Sequence, residues 1–471
     1  MDVKKKVLLI NPPTGVYDRA DRCQAPIEEE GIEMIRPPIN LAYMGAMIEK
    51  AGHRAVIKDY PAEGGKVTDF ENDLKKIKPN LLVLNVTTPT LDSDLALCKV
   101  SKKIDKKIMI IAKGAHFYEF DKKVLSNFDD LDLVIRGEPE LVIEEIVKGK
   151  DFKKIKGISY RRGKRVYRNK ERPFLEDLDS LPFPARHLLN NKLYRFPDTN
   201  LPYALILTGR GCPYSCIFCL VGKVSGKKLR TRSVKNVLQE IENCISNFHI
   251  KTFFFRADTF TWKKDWVVEF CNGLIKRNLK IRWGTNSRVD TVDEEIIRLM
   301  KKAGCDIIGF GIESGNQEIL NKMKKGITLE QSRKAVRLCH QCGIKTLLFF
   351  VLGLPWDNKK TIKETINFAK ELPGTFYNFS IAYPFPGTEF AEIAKKNSLL
   401  TKNSLYGFDF ARPAIKTFFL SNDDLVFYRR KALKSIYFRP KYILRVLSQA
   451  RSPRELANYI LAGVNKAKKL I

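Results

Sequence analysis

No apolar run in the 471-residue chain approaches the ~18 residues that a membrane-spanning helix needs. The opening MDVKKKVLLINPP sets a basic stretch before an apolar one, but VLLI at 7–10 is far too short for a signal h-region and stops at Asn11-Pro12-Pro13. It reads as a first buried strand. Acidic residues are scarce: 53 Asp and Glu stand against 84 Lys and Arg, a net charge of +31. Such a balance suits nucleic acid, an anionic membrane surface or an anionic substrate. The lysines are spread along helical segments and not gathered into a block, which argues against nucleic acid as a partner. Ten cysteines are present, but their spacing is irregular and no secretory signal is read before them. That argues against a disulfide framework and points to a reducing, cytoplasmic compartment. Internal repeats and low-complexity tracts are absent.

What the chain does contain is two runs of strand–helix alternation. Apolar runs at 7–10, 55–60, 81–86, 108–112 and 132–135 are separated by amphipathic segments. In one of these, Leu41, Met44 and Ile48 recur at helical spacing and Gly52 follows as a stop. The pattern predicts an α/β fold that begins with a doubly wound, Rossmann-like sheet over residues 1–148, with ligands beyond the carboxyl ends of its strands. Residues 149–200 read as a hairpin turning at Arg162-Gly163 and then a proline-punctuated linker. Alternation resumes over 201–390, with strand candidates at 203–209, 252–258, 281–286, 306–314, 345–355 and 375–387. Six such units predict a partial (β/α)6 barrel with its active site at the carboxyl ends of the strands.

Residues 391–471 read as a helical C-terminal domain, its pattern aromatic, basic and interrupted at Pro440. The last 51 residues hold twelve Lys or Arg against three Asp or Glu. Such helices either pack on the barrel with a basic face in water, which the pattern favours, or make peripheral contact with an anionic membrane.

One loop carries the decisive chemistry. Cys212, Cys216 and Cys219 follow the first strand of the second alternating region with CxxxCxxC spacing. Three thiolates on one loop can ligate three irons of one cubane and leave the fourth open to a substrate or cofactor. A tetrahedral zinc site needs a fourth Cys or His nearby. His187 and Cys244 are nearest, and neither has ligand-like spacing. Cys339 and Cys342 fall in an amphipathic helix ending at Gly343 and read, with Cys98, Cys244, Cys271 and Cys305, as ordinary thiols.

With Phe218 as the aromatic before the third cysteine, the loop resembles the CxxxCxΦC signature of the radical S-adenosylmethionine (SAM) superfamily. The resemblance covers about residues 201–390. It implies a 4Fe–4S cluster on the three cysteines that binds SAM and reductively cleaves it to a 5′-deoxyadenosyl radical, which abstracts hydrogen from unreactive carbon. It also implies a SAM site. Phe218 belongs to the loop, and Asp258 occupies the region that holds the SAM amino group. Arg288 lies near the third strand end, Glu313 and Ser314 end the fourth toward the ribose, and Leu354 in Gly353-Leu354-Pro355 lies along the adenine. The family's usual Gly-Glu after that proline is replaced here by Trp356-Asp357. Without the resemblance, Asp258 suits a helix cap, Arg288 a salt bridge and Glu313 a barrel-end ion. A low-potential flavodoxin or ferredoxin is the implied electron donor.

The first region resembles the cobalamin-binding domain that precedes many radical SAM barrels. The matching pieces are LLINPP (8–13), RPPINLAYMGAMIEKAGH (36–53), NVTTPT (85–90), KGAHFY (113–118) and IRGEPE (135–140). A generic nucleotide-binding sheet is the alternative, but GxGxxG is missing from the first turn. The resemblance implies cobalamin contacts from Asn85, Thr87, Thr88, Gly114, His116, Gly137 and Glu138. The Asp-x-His-x-x-Gly motif that ligates cobalt in many relatives is absent, and neither His53 nor His116 matches it. The implied state is cobalamin without a protein histidine on its lower face. The polar loop from Asp18 to Gln24 has no readable role.

These resemblances imply an enzyme that methylates an unactivated carbon of a small-molecule or lipid-like substrate. The domain order and tail resemble anaerobic magnesium-protoporphyrin ester cyclase-like proteins as well, which implies radical cyclisation, ring contraction or oxidation of a porphyrin- or lipid-like substrate. A non-catalytic Fe–S or cobalamin-sensing protein would hold the cluster without cleaving SAM. RNA modification is disfavoured, because methylthiolating relatives carry an RNA-binding barrel where residues 391–471 read as helical.

Overall fold

The computed structural model describes residues 4–20, 24, 26, 27, 34–401 and 413–470. Asp21, Arg22 and Cys23 of the first polar loop, and residues 402–412 of the C-terminal region, lie outside them.

Five strands open the chain: Lys6–Asn11 (β1), Arg54–Asp59 (β2), Leu81–Asn85 (β3), Met109–Lys113 (β4) and Leu133–Ile135 (β5). They pair in parallel in the order β2-β1-β3-β4-β5. Val7 to Ile10 of β1 and Leu82 to Leu84 of β3 are wholly buried, which is why these strands read as unbroken apolar runs. The winding reverses between β1 and β3, the kind of switch point where such sheets bind ligands. The hairpin Ile158–Arg162 (β6) and Arg165–Arg168 (β7) adds to this sheet, because β6 lies antiparallel on β5. Buried Arg136 staples the junction, donating to the carbonyls of Ile158 (3.1 Å) and Asn169 (2.6 Å).

The second sheet starts at Tyr203–Leu207 (β8). Two short strands, Gly209–Arg210 (β9) and Arg230–Thr231 (β10), pair antiparallel and close a loop between them. Thr252–Arg256 (β11), Arg282–Ser287 (β12), Cys305–Glu313 (β13), Lys345–Leu352 (β14) and Phe376–Ile381 (β15) then follow. The order β8-β11-β12-β13-β14-β15 is parallel throughout, with β8 and β15 at its two edges.

An open edge strand invites unwanted pairing. The helix Asn422–Tyr437 serves β15 in that respect. Arg429 Nε donates to the Phe379 carbonyl at 2.8 Å, and the Tyr437 hydroxyl bridges the amide and carbonyl of Tyr377. The helix begins in a capping box between Ser421 and Asp424. Pro440 opens the next helix, Pro440–Ser448, where its missing N–H costs nothing, so it ends one helix and starts another.

At the amino ends of the barrel strands lies a buried ion cluster. Asp198 from the linker meets Lys345 (2.9 Å) and Arg282 (2.6 Å), while Arg282 also holds Glu455 of the helix Pro453–Leu470 (2.7 Å). Burial alone would lower the Lys345 ammonium, but Asp306 and Asp198 outweigh it and hold it raised. At this end of a barrel, away from the carboxyl ends of the strands, such a cluster serves stability.

Candidate active site

The cysteine loop, residues 211–229, is fixed at its neck and along its length. Gly211 N–H donates to Asp258 Oδ2 at 2.7 Å, and Cys212 N–H to the Gly226 carbonyl at 3.1 Å. Ile217 N–H donates to Met323 O, and Ile217 O accepts from Phe390 N–H. Cys219 N–H closes a turn onto Cys216 O. Tyr214 stands under the Arg288 guanidinium, 3.4 Å from ring centroid to Cζ, and meets Trp262 edge-on. The loop is thereby anchored on both sides of Cys212 and Cys216 and as far as Cys219.

Beside Cys216 the end of β13 carries an unusual backbone. Glu313 sits at φ +64, a left-handed conformation that costs a non-glycine residue energy and signals a fixed role. Its carboxylate accepts from Lys325 Nζ at 2.7 Å, and both side chains are buried. Gly311 leaves room for the pair: a Cβ there would press on the Glu313 carboxylate and stand 2.7 Å from Lys325 Nζ. Burial would lower the Lys325 ammonium, but Glu313 outweighs it and keeps it raised. Burial raises the Cys216 thiol, and Lys325 and Arg288 act against that. Arg288 itself is held by Asp290 (2.9 and 2.8 Å) and by the Lys325 carbonyl (2.8 Å).

Of the residues the sequence nominated for SAM, Arg288 and Glu313 thus converge on Cys216, and Asp258 holds the loop's neck. Phe218 is half-buried against the barrel core. Ser314 turns away: its hydroxyl pairs with Thr365 at 3.1 Å and caps Asn316 N–H. Leu354 is fully buried, and its N–H and that of Gly353 both donate to Asp357 Oδ2 (3.1 and 2.9 Å). Asp357, in the place of the family's Gly-Glu, therefore ties the turn shut, with Thr361 donating to its other oxygen at 2.9 Å. Burial pushes its carboxyl up to about 6. The folded state then holds a proton that the unfolded chain releases near pH 4, so stability falls as pH rises from about 4 through 6. Asp357→Asn keeps the amide acceptor and cannot ionise. Thermal denaturation is expected to show it up to about 3 kcal/mol more stable than the native chain at pH 7, with the gain gone near pH 4. The sequence alone assigns no role to Lys325 or Tyr214, and names Asp357 only in the pair Trp356-Asp357. Only Trp356-Asp357, as a departure from the family pattern, offered any signal.

The cobalamin candidates gather at the carboxyl ends of β3, β4 and β5. Asn85 Nδ2 donates to Asn11, which donates to Asp59, whose other oxygen accepts from Tyr194, a ladder across three strand ends. Asn85 Oδ1 is buried and has no hydrogen-bond partner among the described residues. Thr87 and Thr90 pair at 2.6 Å and lead to Asp94, which also takes Arg19 at 2.8 Å. Thr88 N–H donates to Gln24 (2.6 Å), so part of the polar loop after β1 folds over this corner. Gly114 admits no side chain, because a Cβ would run into the Val86 carbonyl. Gly137, at φ +91, faces open space. Burial lowers His116 to about 4, leaving it neutral near pH 7.

Glu138 does something else. It bonds Arg210 (3.0 Å) and Arg230 (2.8 Å), the two arginines at the neck of the cysteine loop, and Glu140 takes the other side of Arg210. Burial would raise the Glu138 carboxyl, but Arg210 and Arg230 hold it below the usual range. The end of β5 and the neck of the loop are thus one charged joint. Beside it runs a cleft lined from the first domain by Asn40, Tyr118 and Gly137, and from the barrel by Arg210, Arg256 and Asp258. Ala115 and Tyr118 meet Leu220, Val224, Tyr383 and Phe385 in an apolar wall. The carboxyl ends of both sheets therefore face a common space.

Residues 32–147 match the B12 binding domain family and residues 206–369 the radical SAM superfamily. A relative from Pyrococcus horikoshii, named an uncharacterized methyltransferase, is 31% identical over 448 residues, covering 93% of this chain and 94% of its own. The chain belongs to the cobalamin-dependent radical SAM enzymes. The anaerobic magnesium-protoporphyrin IX monomethyl ester cyclase of Cereibacter sphaeroides is 28% identical over 444 residues, covering 87% of this enzyme and 71% of its own chain. Among solved structures, the radical SAM methyltransferase TsrM from Kitasatospora setae, with cobalamin and a 4Fe–4S cluster bound, matches with a TM-score of 0.69. That match is 16% identical and covers 100% of this enzyme and 91% of that chain, so the fold is shared from end to end.

The residues present fit the cofactors of this family. No trio of His, Cys, Asp or Glu among the described residues is drawn tightly enough for a single metal ion. A cubane asks for less, since each thiolate reaches a different iron and the three stand further apart. For cobalamin, the buried Asn85 acceptor offers a bond to a donor, Gly137 leaves space, and the apolar wall suits a flat macrocycle.

Proposed function

We propose that this enzyme transfers the methyl group of SAM to an unactivated carbon of a small-molecule or lipid-like substrate. The observation that carries the reading is the shared cleft: the cysteine loop and the strand ends of the first domain open into one space, joined by Arg210, Glu138 and Glu140. When bound, the cluster and SAM supply a hydrogen-abstracting radical and cobalamin carries a methyl group. Cys212, Cys216 and Cys219 would hold three irons. Lys325 and Arg288, each balanced by a carboxylate of its own in Glu313 and Asp290, would stand beside the cluster at Cys216. Asp258 and Glu313 would supply carboxylates to an amino group and a ribose, and the turn that buries Leu354 would lie along the adenine. Asn85, Thr87, Thr88, Gly114, His116, Gly137 and Glu138 form the rim on the cobalamin side. The full-length relative named a methyltransferase supports methylation. The cyclase relative supports a second reading, radical cyclisation or oxidation with the same cofactors. Electrons would come from a low-potential flavodoxin or ferredoxin.

The test is anaerobic reconstitution with iron, sulfide and cobalamin, followed by dithionite and SAM. The native chain is expected to form both 5′-deoxyadenosine and S-adenosylhomocysteine, and Cys216→Ala to lose the first by about 100-fold or more. 5′-Deoxyadenosine without S-adenosylhomocysteine would replace methylation by the cyclase-type reading. Neither product, despite a full cluster by EPR, would count against catalysis.

A further inference from the structure

The helices that end the chain are apolar on two sides. The inner side is spent on the barrel. The Tyr442 hydroxyl donates to the Thr375 carbonyl (2.9 Å), Asn458 Nδ2 to the Asp198 carbonyl (2.7 Å), and Glu455 enters the buried ion cluster. These helices are therefore held in place, and their outer side is a fixed surface.

That outer side is rich in large apolar side chains. In Pro453–Leu470, Leu456, Ile460 and Val464 recur at four-residue spacing on an exposed stripe, while Glu455 and Tyr459 are buried. In Pro440–Ser448 the exposed pair is Ile443 and Leu444. In Asn422–Tyr437, Phe427 shares a side with Lys431 and Lys434, and the Lys431 ammonium lies 5.7 Å from its ring centroid. Leu444 is 69% exposed and Leu461 60%, far beyond what a lone surface leucine needs to explain. Exposed Arg430, Lys441, Arg454 and Lys468 are interleaved with them. Of the three acids in the last 51 residues, Glu455 is turned inward to Arg282, and Asp423 and Asp424 sit in the first turn of Asn422–Tyr437.

Apolar stripes alone would suit a second copy of this chain. The cations decide against it, since a second copy would bring the same positive surface face to face. Nucleic acid would use the cations but not the aliphatic stripe. An anionic lipid surface takes both: acyl chains receive Leu, Ile and Phe while headgroups receive Lys and Arg. No helix among the described residues is long and apolar enough to cross a membrane. We propose that residues 418–470 are a docking surface by which the protein lies on an anionic bilayer. This stands apart from the reaction proposed above.

Flotation of the purified full-length protein with vesicles tests it. The protein is expected to float with phosphatidylglycerol–phosphatidylcholine vesicles and not with phosphatidylcholine alone. Raising salt to ~0.5 M should weaken the partition about tenfold or more. Leu444→Asp/Leu461→Asp, at two exposed positions, should weaken it about tenfold or more while keeping the native circular dichroism. Three results would overturn the proposal: no flotation with anionic vesicles at low salt, equal flotation of the double variant, or a concentration-dependent dimer that the double variant abolishes. None of these readouts requires SAM cleavage, so a failure here and a failure of the catalytic reading are distinguishable.

Discussion

Gly211→Ala is expected to yield a folded chain that purifies without its iron–sulfur chromophore and forms 5′-deoxyadenosine at least about 100-fold more slowly. Gly211 sits at φ +93, where an L side chain is strained by about 1–2 kcal/mol. Its missing Cβ matters more. A Cβ would collide with the carbonyl oxygen of Lys228 and stand 2.9 Å from the carbonyl carbon, and backbone cannot rotate out of the way. Either the bond from Gly211 N–H to Asp258 or the closure of β9 on β10 must give, and Cys212 follows directly. Gly222→Ala is the control within the same loop. Nothing lies within 4 Å of its Cβ position, and it should keep its iron and its activity. Iron analysis of the two variants side by side decides the matter; equal iron in both would show that the neck does not set the cluster's place.

Glu140→Ala is expected to destabilise the chain by about 3 kcal/mol, because it leaves the buried Arg210 guanidinium short of one carboxylate. Removing both charges should cost less. Arg210→Leu/Glu140→Leu leaves Glu138 paired with Arg230 and strands neither member of the Arg210–Glu140 pair as a lone charge in the wall of the cleft. Denaturant melts of Arg210→Leu, Glu140→Leu and the double variant measure the coupling. Additive losses would mean that the joint contributes no coupling between the cobalamin domain and the cysteine loop. A double variant more stable than Glu140→Ala but impaired in SAM cleavage would show that the joint serves alignment more than stability.

The sequence made the skeleton legible because parallel strands buried on both faces leave a strong local mark. Runs such as VLLI at 7–10 and LLVL at 81–84 need no partner to be recognised. The three cysteines were legible for a similar reason, since their spacing is itself the chemistry. What escaped were roles fixed by partners far away in the chain. Nothing around Glu138 says that it will meet Arg210 and Arg230 and not only a cofactor. Lys325 is one lysine in KMKKG until the fold brings it against Glu313. Ser314 follows directly on the end of β13 at Glu313, and Thr365, on a helix of its own, claims its hydroxyl. The hairpin at 158–168 was visible, but not that β6 would extend the first sheet, because edge pairing leaves no local signal. The C-terminal pattern pointed to helices packed on the barrel, and it could not show that an apolar side would also remain outside.

The ion cluster beneath the barrel has a consequence for how the molecule is made. Lys345 and Arg282 emerge from the ribosome well before Glu455, one of the carboxylates that neutralise them. Asp198 and Asp306, the other two carboxylates, emerge before Lys345, so a nascent barrel already holds two acids against two bases in its floor. The late segment brings Glu455 together with Arg451, a further anion and cation, and leaves that balance unchanged. The last helix works as a clamp on a floor already balanced in charge, and the six strands carry their own counter-ions until it arrives.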